Sequence, residues 1–323
     1  MLSLILLLPP LHLTLTPSEI QTLSSPILKK IISHYNHLAP STSPTSTIMS
    51  ISGGTNNVEL LKTPSLLITE CDHTSPSTRV RRLYFTSNSN VIQSESYLHN
   101  SSFDYTKLSF GYHYIMSSSI YLTSEISTGN ESVVVGLGGG QFSMYLSKVM
   151  KVNITSIEIS SEMKNIAAEY FGFEEDENNK VRIGDGIEAV GEFKGLDNVF
   201  IDVDTKDDSV GMSCPPSAFV ESSYLSEVHS SLNPSGKIII NISARDKSCL
   251  QTLLKNVNQI FNTVYISDSM PEEVNVVVIG FKEAPEVPDK KVLMERVEGD
   301  DMKEAICMWR KWKKKTRGGK KKK

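Results

Sequence analysis

Val133-Val134-Val135-Gly136-Leu137-Gly138-Gly139-Gly140-Gln141 is a β-branched run that breaks into four glycines within five residues. The valines suit a strand buried on both faces, and the glycines suit a turn whose backbone is approached closely from outside. A strand, a glycine turn and a following helix together make a place where amide groups meet an anionic or polar ligand. The second apolar run ends in Glu158, at the distance of about twenty residues where an acid can accept both hydroxyls of a ribose. The loop lacks the Lys-Ser/Thr pair of a P-loop, which disfavours nucleoside triphosphate hydrolysis. A nicotinamide site would use the same glycines and a distant acid, so it stands as the rival at this point.

Downstream of this stretch, apolar runs alternate with helical periodicity, which predicts a parallel sheet wrapped by helices on both faces. Strands are expected at 133–137, 153–159, 180–183, 198–202, 237–242, 263–267 and 275–281, and helices at 141–150, 162–171, 186–192, 218–231 and 247–261. Asn233-Pro234-Ser235-Gly236 reads as a stop before the fifth strand. The connection between the last two strands is too short for a crossover helix, so they should pair antiparallel. Upstream, short β-prone runs at 58–61, 65–69, 80–86 and 90–93 predict a small antiparallel sheet, followed by an amphipathic helix over 105–122. The fold class is therefore α/β, a Rossmann-like sheet preceded by a small antiparallel β unit. The reading divides the chain into an N-terminal segment and linker (1–57), the β unit plus helix (58–125), the main domain (126–284) and a basic tail (285–323).

Composition narrows the function classes. The net charge of −4 conceals ten Lys or Arg and no acid between Trp309 and Lys323, so the rest of the 323-residue chain is markedly acidic. An acidic body suits a basic protein partner better than a nucleic acid, whereas the tail suits RNA or an acidic surface, or simply solvates the chain end. Cys71, Cys214, Cys249 and Cys307 show no paired spacing. They point to neither a zinc site nor a disulfide framework, and to reduced thiols in the cytoplasm. The apolar opening 1–16 contains Pro9 and Pro10 and lacks a basic flank or cleavage site, so a membrane span is not expected. Residues 40–55 are rich in Ser, Thr, Pro and Gly and read as a linker.

Three strand ends carry candidate cofactor ligands: Gly136, Gly138, Gly140 and Gln141 after the first, Glu158 and Ile159 at the second, Asp185 and Gly186 after the third. An Asp after a strand can accept from the exocyclic amine of adenine, although Asp185 equally suits a helix cap, as does Glu158 or its neighbours Ser160 and Ser161. The fourth strand ends in Phe200-Ile201-Asp202-Val203-Asp204-Thr205-Lys206-Asp207-Asp208. A cation is the natural guest of this loop. Asp202, beneath an apolar strand, is the candidate for orienting an amine and accepting its proton; the later acids also fit plain solvated loop positions.

The residues from about 81 to 281 resemble the spermidine-synthase-like C-terminal methyltransferase domain of the dual lysine and N-terminal methyltransferases of elongation factor 1-alpha. The resemblance rests on Arg81-Arg82-Leu83, Val91-Ile92-Gln93-Ser94-Glu95, the glycine turn, Phe171-Gly172-Phe173, and above all Asp202-Val203-Asp204-Thr205-Lys206-Asp207 with Gly211-Met212-Ser213-Cys214-Pro215-Pro216. It implies S-adenosylmethionine (AdoMet) as cofactor and the N-terminal α-amine of elongation factor 1-alpha as substrate. Tyr112 and His113 fall on the substrate side by the same resemblance, and Asp204 and Asp207, as later acids of the loop, are assigned to holding the cationic substrate terminus. Proteins of the wider family can dimerise through the N-terminal sheet, which makes a homodimer an expectation here. The lysine methyltransferase half of the dual enzymes has no counterpart in the chain.

Departures from the wider family discriminate further. Aminopropyltransferases resemble G-G-G-D at the glycine turn, whose acid meets the amine of decarboxylated cofactor; here Gln141 follows the glycines, leaving room for the carboxylate of intact AdoMet, which an Asp would repel. His113 stands where they resemble Gln after Tyr, and Glu158-Ile159-Ser160 stands for E-I-D. The expected function is thus an AdoMet-dependent protein N-methyltransferase without a metal. An aminopropyltransferase and a noncatalytic AdoMet-binding or dimerisation protein are the alternatives.

Overall fold

The computed structural model describes residues 57–75, 77–123, 131–205, 211–270 and 273–312. The apolar opening, the 40–55 linker, Asp207, Asp208 and the tip of the basic tail lie outside these residues. Among the described residues no helix is long and apolar enough to cross a membrane.

β1 (Val58–Lys62), β2 (Leu66–Ser75), β3 (Thr78–Phe85), β4 (Ile92–His99) and β5 (Ser102–Phe103) form a five-stranded antiparallel meander in chain order. β4 continues well past the expected 90–93 run because its polar residues have built partners. Ser94 faces the glycine turn, and Glu95 pairs with Arg82 on β3. The face that bears Ser94 also carries Leu66, Ile68 and Leu83 onto Ile166 and Phe171.

α1 (Gly111–Ser118) is shorter than the 105–122 periodicity predicts. Phe110 is extended, and Glu273 reaches in from a distant loop to accept from the Gly111 and Tyr112 amides at 2.5 and 2.9 Å. A helix cannot continue upstream of amides taken by a foreign carboxylate, so the helix starts there.

The main sheet is then laid down by β6 (Glu131–Val135), α2 (Gln141–Met144, running on as one π turn to Val149), β7 (Asn153–Glu158), α3 (Ser161–Phe171), β8 (Asn179–Ile183), α4 (Gly186–Ala189), β9 (Leu196–Ile201), β10 (Met212–Cys214), α5 (Ser222–Ser231), β11 (Leu232–Ala244), α6 (Lys247–Ile260), β12 (Thr263–Ser267) and β13 (Val276–Phe281). α7 (Lys290–Arg296), α8 (Asp300–Cys307) and β14 (Trp309–Lys311) complete it. Strand order is β14-β12-β13-β11-β9-β6-β7-β8, with β10 pairing to β11. β11, β9, β6, β7 and β8 run parallel, and β13 is antiparallel to both β11 and β12, as the short connection predicts.

Both faces are covered, so adjacent residues of one strand enter different cores. Val133, Val135, Val199 and Ile201 pack with Leu225, Val228, Leu253 and Val257 of α5 and α6. Val134, Phe200 and Ile239 pack on the other side with Ile115, Met116, Phe142, Leu293 and Ile306.

Three expectations need correction. Asn233-Pro234-Ser235-Gly236 does not end before the fifth strand; it lies within β11 as an irregular stretch, with the parallel register shifting between Leu232 and Lys237. The helix expected over 218–231 is broken at Glu221, whose backbone is extended, leaving a 3-10 turn at Ser217–Val220 and α5 after it. Residues 290–311, read from sequence as part of a basic tail, fold into α7, α8 and an edge strand. Their apolar residues are interspersed with enough charge to mask the period, yet Leu293, Val297, Met302, Ile306 and Trp309 are all buried.

Candidate active site

The chain leaves β6 toward β7 and β8 on one side and later returns to place β9 on the other side of β6. Ligands of open α/β sheets sit beyond the carboxyl ends of the strands at such a reversal. Here the glycine turn, Glu158, Asp185 and Asp202 follow the ends of β6, β7, β8 and β9. The structure thus brings together the four strand-end positions singled out in the sequence.

The glycines are required mainly by neighbouring protein. Gly136 has φ +96°, and a Cβ there would lie 2.3 Å from the Asp202 carbonyl oxygen; Gly140 has φ +80° and would meet Phe173 at 2.4 Å. Their absence of side chains lets the β6 turn lie against the β9 loop and against Phe173. Gly138, with φ +54°, lies against Ser94, whose Oγ accepts from the Gly139 amide at 2.9 Å. Ser94 therefore ties the β unit to the cofactor turn, a role that was not read from the sequence although the residue belongs to one of the motifs quoted above.

Gln141 opens α2 and is 7% exposed, yet neither its amide nitrogen nor its amide oxygen has a hydrogen-bond partner. A buried amide left unsatisfied costs about 1–3 kcal/mol, a cost that a polar ligand removes by bonding to it. Glu158 is also buried, and its two oxygens accept separately from the Leu137 amide at 3.0 Å and the Ser160 amide at 2.9 Å. The helix cap of α3 is Ser160, which accepts from Met163 N, so Glu158 is not spent on capping. It is instead fixed across two loops with both oxygens held in place. Ile159 beside it is 73% exposed, an apolar surface of the kind a flat heterocycle covers. Asp185 does cap α4, through Oδ1 to Ile187 N at 2.8 Å. Gly186 is buried under that cap, where a Cβ would strike Val135.

Asp202 is the centre of a polar cluster. Its Oδ2 lies 2.8 Å from His113 Nε2, and its Oδ1 accepts from Asn241 Nδ2 at 2.8 Å. Asn241 in turn accepts at Oδ1 from Asn275 Nδ2 at 2.9 Å. The His113 ring is stacked 4.7 Å from Phe142 at an interplanar angle of 7°, so α1 and α2 fix its orientation jointly. Tyr112 lies against it, with ring centroids 4.3 Å apart. Burial first, then the charges of Asp202, Cys214, Glu273 and Asp204, push the Tyr112 hydroxyl well above its ordinary range, so it is a proton donor at neutral pH.

Asp204 is half-buried and its charge acts on this hydroxyl, whereas Asp207 lies outside the described residues. Asn241, Asn275 and Glu273 were missed by sequence reasoning. One signal was present: Asn241 interrupts the apolar run Ile238-Ile239-Ile240-Asn241-Ile242, where a buried polar group needs a partner. Among the described residues no group of three His, Cys, Asp or Glu side chains is placed to hold a metal ion.

No protein-family model matches the chain. A crystal structure of a probable spermidine synthase from Corynebacterium glutamicum covers 78% of this chain and 88% of its own, with a TM-score of 0.58 and 16% identity, which establishes the shared fold. The Drosophila melanogaster protein named eEF1A lysine and N-terminal methyltransferase homolog is 33% identical over 218 residues, 62% of this chain and 32% of that protein. The human eEF1A lysine and N-terminal methyltransferase is 37% identical over 142 residues, 42% of this chain and 20% of that protein. The chain spans a third or less of the length of these curated relatives. Over the matched stretch, the resemblance carried by the glycine turn and the Asp202 loop is borne out: the chain is similar to proteins named eEF1A lysine and N-terminal methyltransferase.

Proposed function

We propose that this chain is an AdoMet-dependent N-methyltransferase acting on a protein α-amine, with the N-terminus of elongation factor 1-alpha as its substrate. The observation that carries the reading is the buried, unpartnered amide of Gln141, which stands at the position after the glycine turn where aminopropyltransferases resemble an acid. An amide offers both a donor and an acceptor, which suits the amino acid end of intact AdoMet with its ammonium and carboxylate.

The remaining residues fit the same ligand. Glu158 is fixed to accept from ribose hydroxyls, Ile159 offers an apolar face to adenine, and Asp185 lies at the next strand end for its exocyclic amine. Bound AdoMet supplies a methyl group activated by an adjacent sulfonium. The chain's own residues must present an amine in its neutral form and receive its proton. Asp202, held by His113 and Asn241, is the acceptor at the end of β9. Asp204 and the donor hydroxyl of Tyr112 line the approach. Acids around an amine raise its pKa and oppose deprotonation, so an α-amine, titrating near about 8, is a more tractable substrate here than a lysine near about 10.4. Four cysteines without disulfides fit a reducing compartment, and we place the protein in the cytoplasm.

Calorimetry with AdoMet and decarboxylated AdoMet tests the cofactor assignment. The account expects tighter binding of AdoMet; a preference for the decarboxylated form, together with aminopropyl transfer to a free diamine, would establish the aminopropyltransferase reading in its place.

A further inference from the structure

The amide chain behind Asp202 has a directional logic. An ionised carboxylate only accepts, so Asn241 must turn its Nδ2 toward Asp202, at 2.8 Å. Its Oδ1 then faces Asn275, which must in turn present its own Nδ2, at 2.9 Å. Asn241 is 2% exposed and lies in β11 between isoleucines, whereas Asn275 immediately precedes β13, the antiparallel neighbour of β11. Asn275 thus stands one residue removed from the carboxylate and presents a donor, the chemistry at that position that is compatible with the amide orientation Asp202 needs. The loop that carries it also carries Glu273, whose carboxylate receives the first two amides of α1. One connection, between β12 and β13, therefore braces both walls of the Asp202 cluster: the helix bearing Tyr112 and His113, and the amide behind the carboxylate.

We propose that Asn275, acting through Asn241, is a positioning residue that keeps a hydrogen-bond donor on Asp202 Oδ1 and so holds that carboxylate ionised and oriented toward the incoming amine. The inference rests on the methyltransferase reading for its catalytic meaning, but its structural content does not depend on the identity of the substrate. The titratable groups facing the cluster are His113 and Tyr112 from α1, Asp204 from the Asp202 loop itself, Cys214 from β10 and Glu273 from the β12–β13 connection.

The two simplest substitutions separate this role from packing. Asn275→Ala removes the donor and leaves Asn241 free to keep its Nδ2 on Asp202. Asn275→Asp has nearly the shape of asparagine but presents an acceptor, so two carboxylates compete for Asn241 Nδ2 and Asp202 shares or loses its donor. A carboxylate deprived of that donor loses the bond that favours its charged form. A packing role predicts the opposite ranking, with the isosteric acid tolerated better than alanine.

The experiment is a carbon-13 NMR titration of the Asp202 side-chain carboxyl in the full-length chain, its resonance assigned with Asp202→Asn, in wild type and both variants. Thermal stabilisation by AdoMet checks that each variant keeps its site. The expected result is an Asp202 midpoint raised by about one pH unit or more in Asn275→Asp and by much less in Asn275→Ala, with the rise in Asn275→Asp reduced at least by half in an Asn241→Leu background, where only the through-space charge of the new carboxylate acts; a rise of the same size in that background overturns the proposal. An Asp202 midpoint in Asn275→Asp equal to that of wild type, or raised no more than in Asn275→Ala, overturns the proposal. Turnover measured on the α-amine peptide gives the second readout, with kcat falling at least about tenfold in Asn275→Asp and KM for AdoMet unchanged. If wild type transfers no methyl group while the NMR ranking holds, the substrate reading fails and the positioning role stands.

Discussion

Lys237 shows what a single residue costs when nothing in the site uses it. Its side chain is 4% exposed on β11, with the ammonium 5.8 Å from the centre of the Phe281 ring. Burial, opposed in part by Asp197, lowers its pKa from 10.5 to about 8. Between those two values the unfolded chain binds a proton that the folded chain has released, so stability rises as pH climbs from about 8 toward 10.5 and is lowest below about 8. Lys237→Met is therefore expected to raise stability at neutral pH by about 1–3 kcal/mol, and to flatten the rise under alkaline conditions. Urea unfolding at pH 7 and at pH 10 checks this; a destabilised Met variant at pH 7 would mean the ammonium is held by favourable interactions that outweigh its burial. Asp202 presents the contrasting case of a partly buried charge with donors on both oxygens, and such a group retains its charge where chemistry requires it.

At the scale of elements, Glu273 decides where α1 begins. Removing its carboxylate leaves the Gly111 and Tyr112 amides without acceptors, so Glu273→Ala is expected to cost about 1–2 kcal/mol in stability. Because Tyr112 and His113 belong to that first turn, the same variant is expected to raise KM for the amine substrate more than it lowers the affinity for AdoMet. Calorimetry and steady-state kinetics on one preparation separate the two effects, and an equal loss in both would assign Glu273 to general stability alone. The sheet strands β6 to β9 and β11 to β13 were legible because most are apolar runs closed by a turn residue, a pattern that local sequence encodes directly, whereas the three-residue β10 (Met212–Cys214) is too short to show one. The start of α1 was not legible, because its cap comes from a residue 162 positions away. The same reason hid Asn241 and Asn275: their role lies in strand adjacency between β11 and β13, which no local window contains. Glu158, Asp185 and Asp202 were legible because strand ends in a parallel sheet converge by topology. Ser94 was not, since only the docking of the meander on the glycine turn gives it a role.

For the whole molecule, the C-terminal segment is part of the fold. Leu293, Val297, Met302, Ile306 and Trp309 enter the same core as α1, and Trp309 Nε1 donates to Ser118 Oγ at 2.8 Å. Five buried side chains at about 1.5–3 kcal/mol each amount to most of the net stability of a domain, about 5–15 kcal/mol. A chain ending at residue 284 is accordingly expected to lose cooperative unfolding, whereas one ending at residue 312 should keep a Tm within about 3 °C of the full chain. Calorimetric scans of both truncations check this, and a cooperative, unshifted transition for the shorter one would return residues 285–312 to the status of a dispensable tail. The same segment packs behind the helix that bears Tyr112 and His113, so the integrity of this face and the geometry of the site are linked.

The central claim is that this sheet positions AdoMet and Asp202 for transfer of a methyl group to a protein α-amine. Intact-mass and peptide mass spectrometry of purified elongation factor 1-alpha, after incubation with the protein and AdoMet, tests it most directly, with Asp202→Ala as the control. The account predicts a mass gain of whole methyl groups confined to the N-terminal α-amine, and its loss in an Asp202→Ala protein that is still stabilised by AdoMet. Methylation elsewhere, or an undiminished gain with Asp202→Ala, would contradict it.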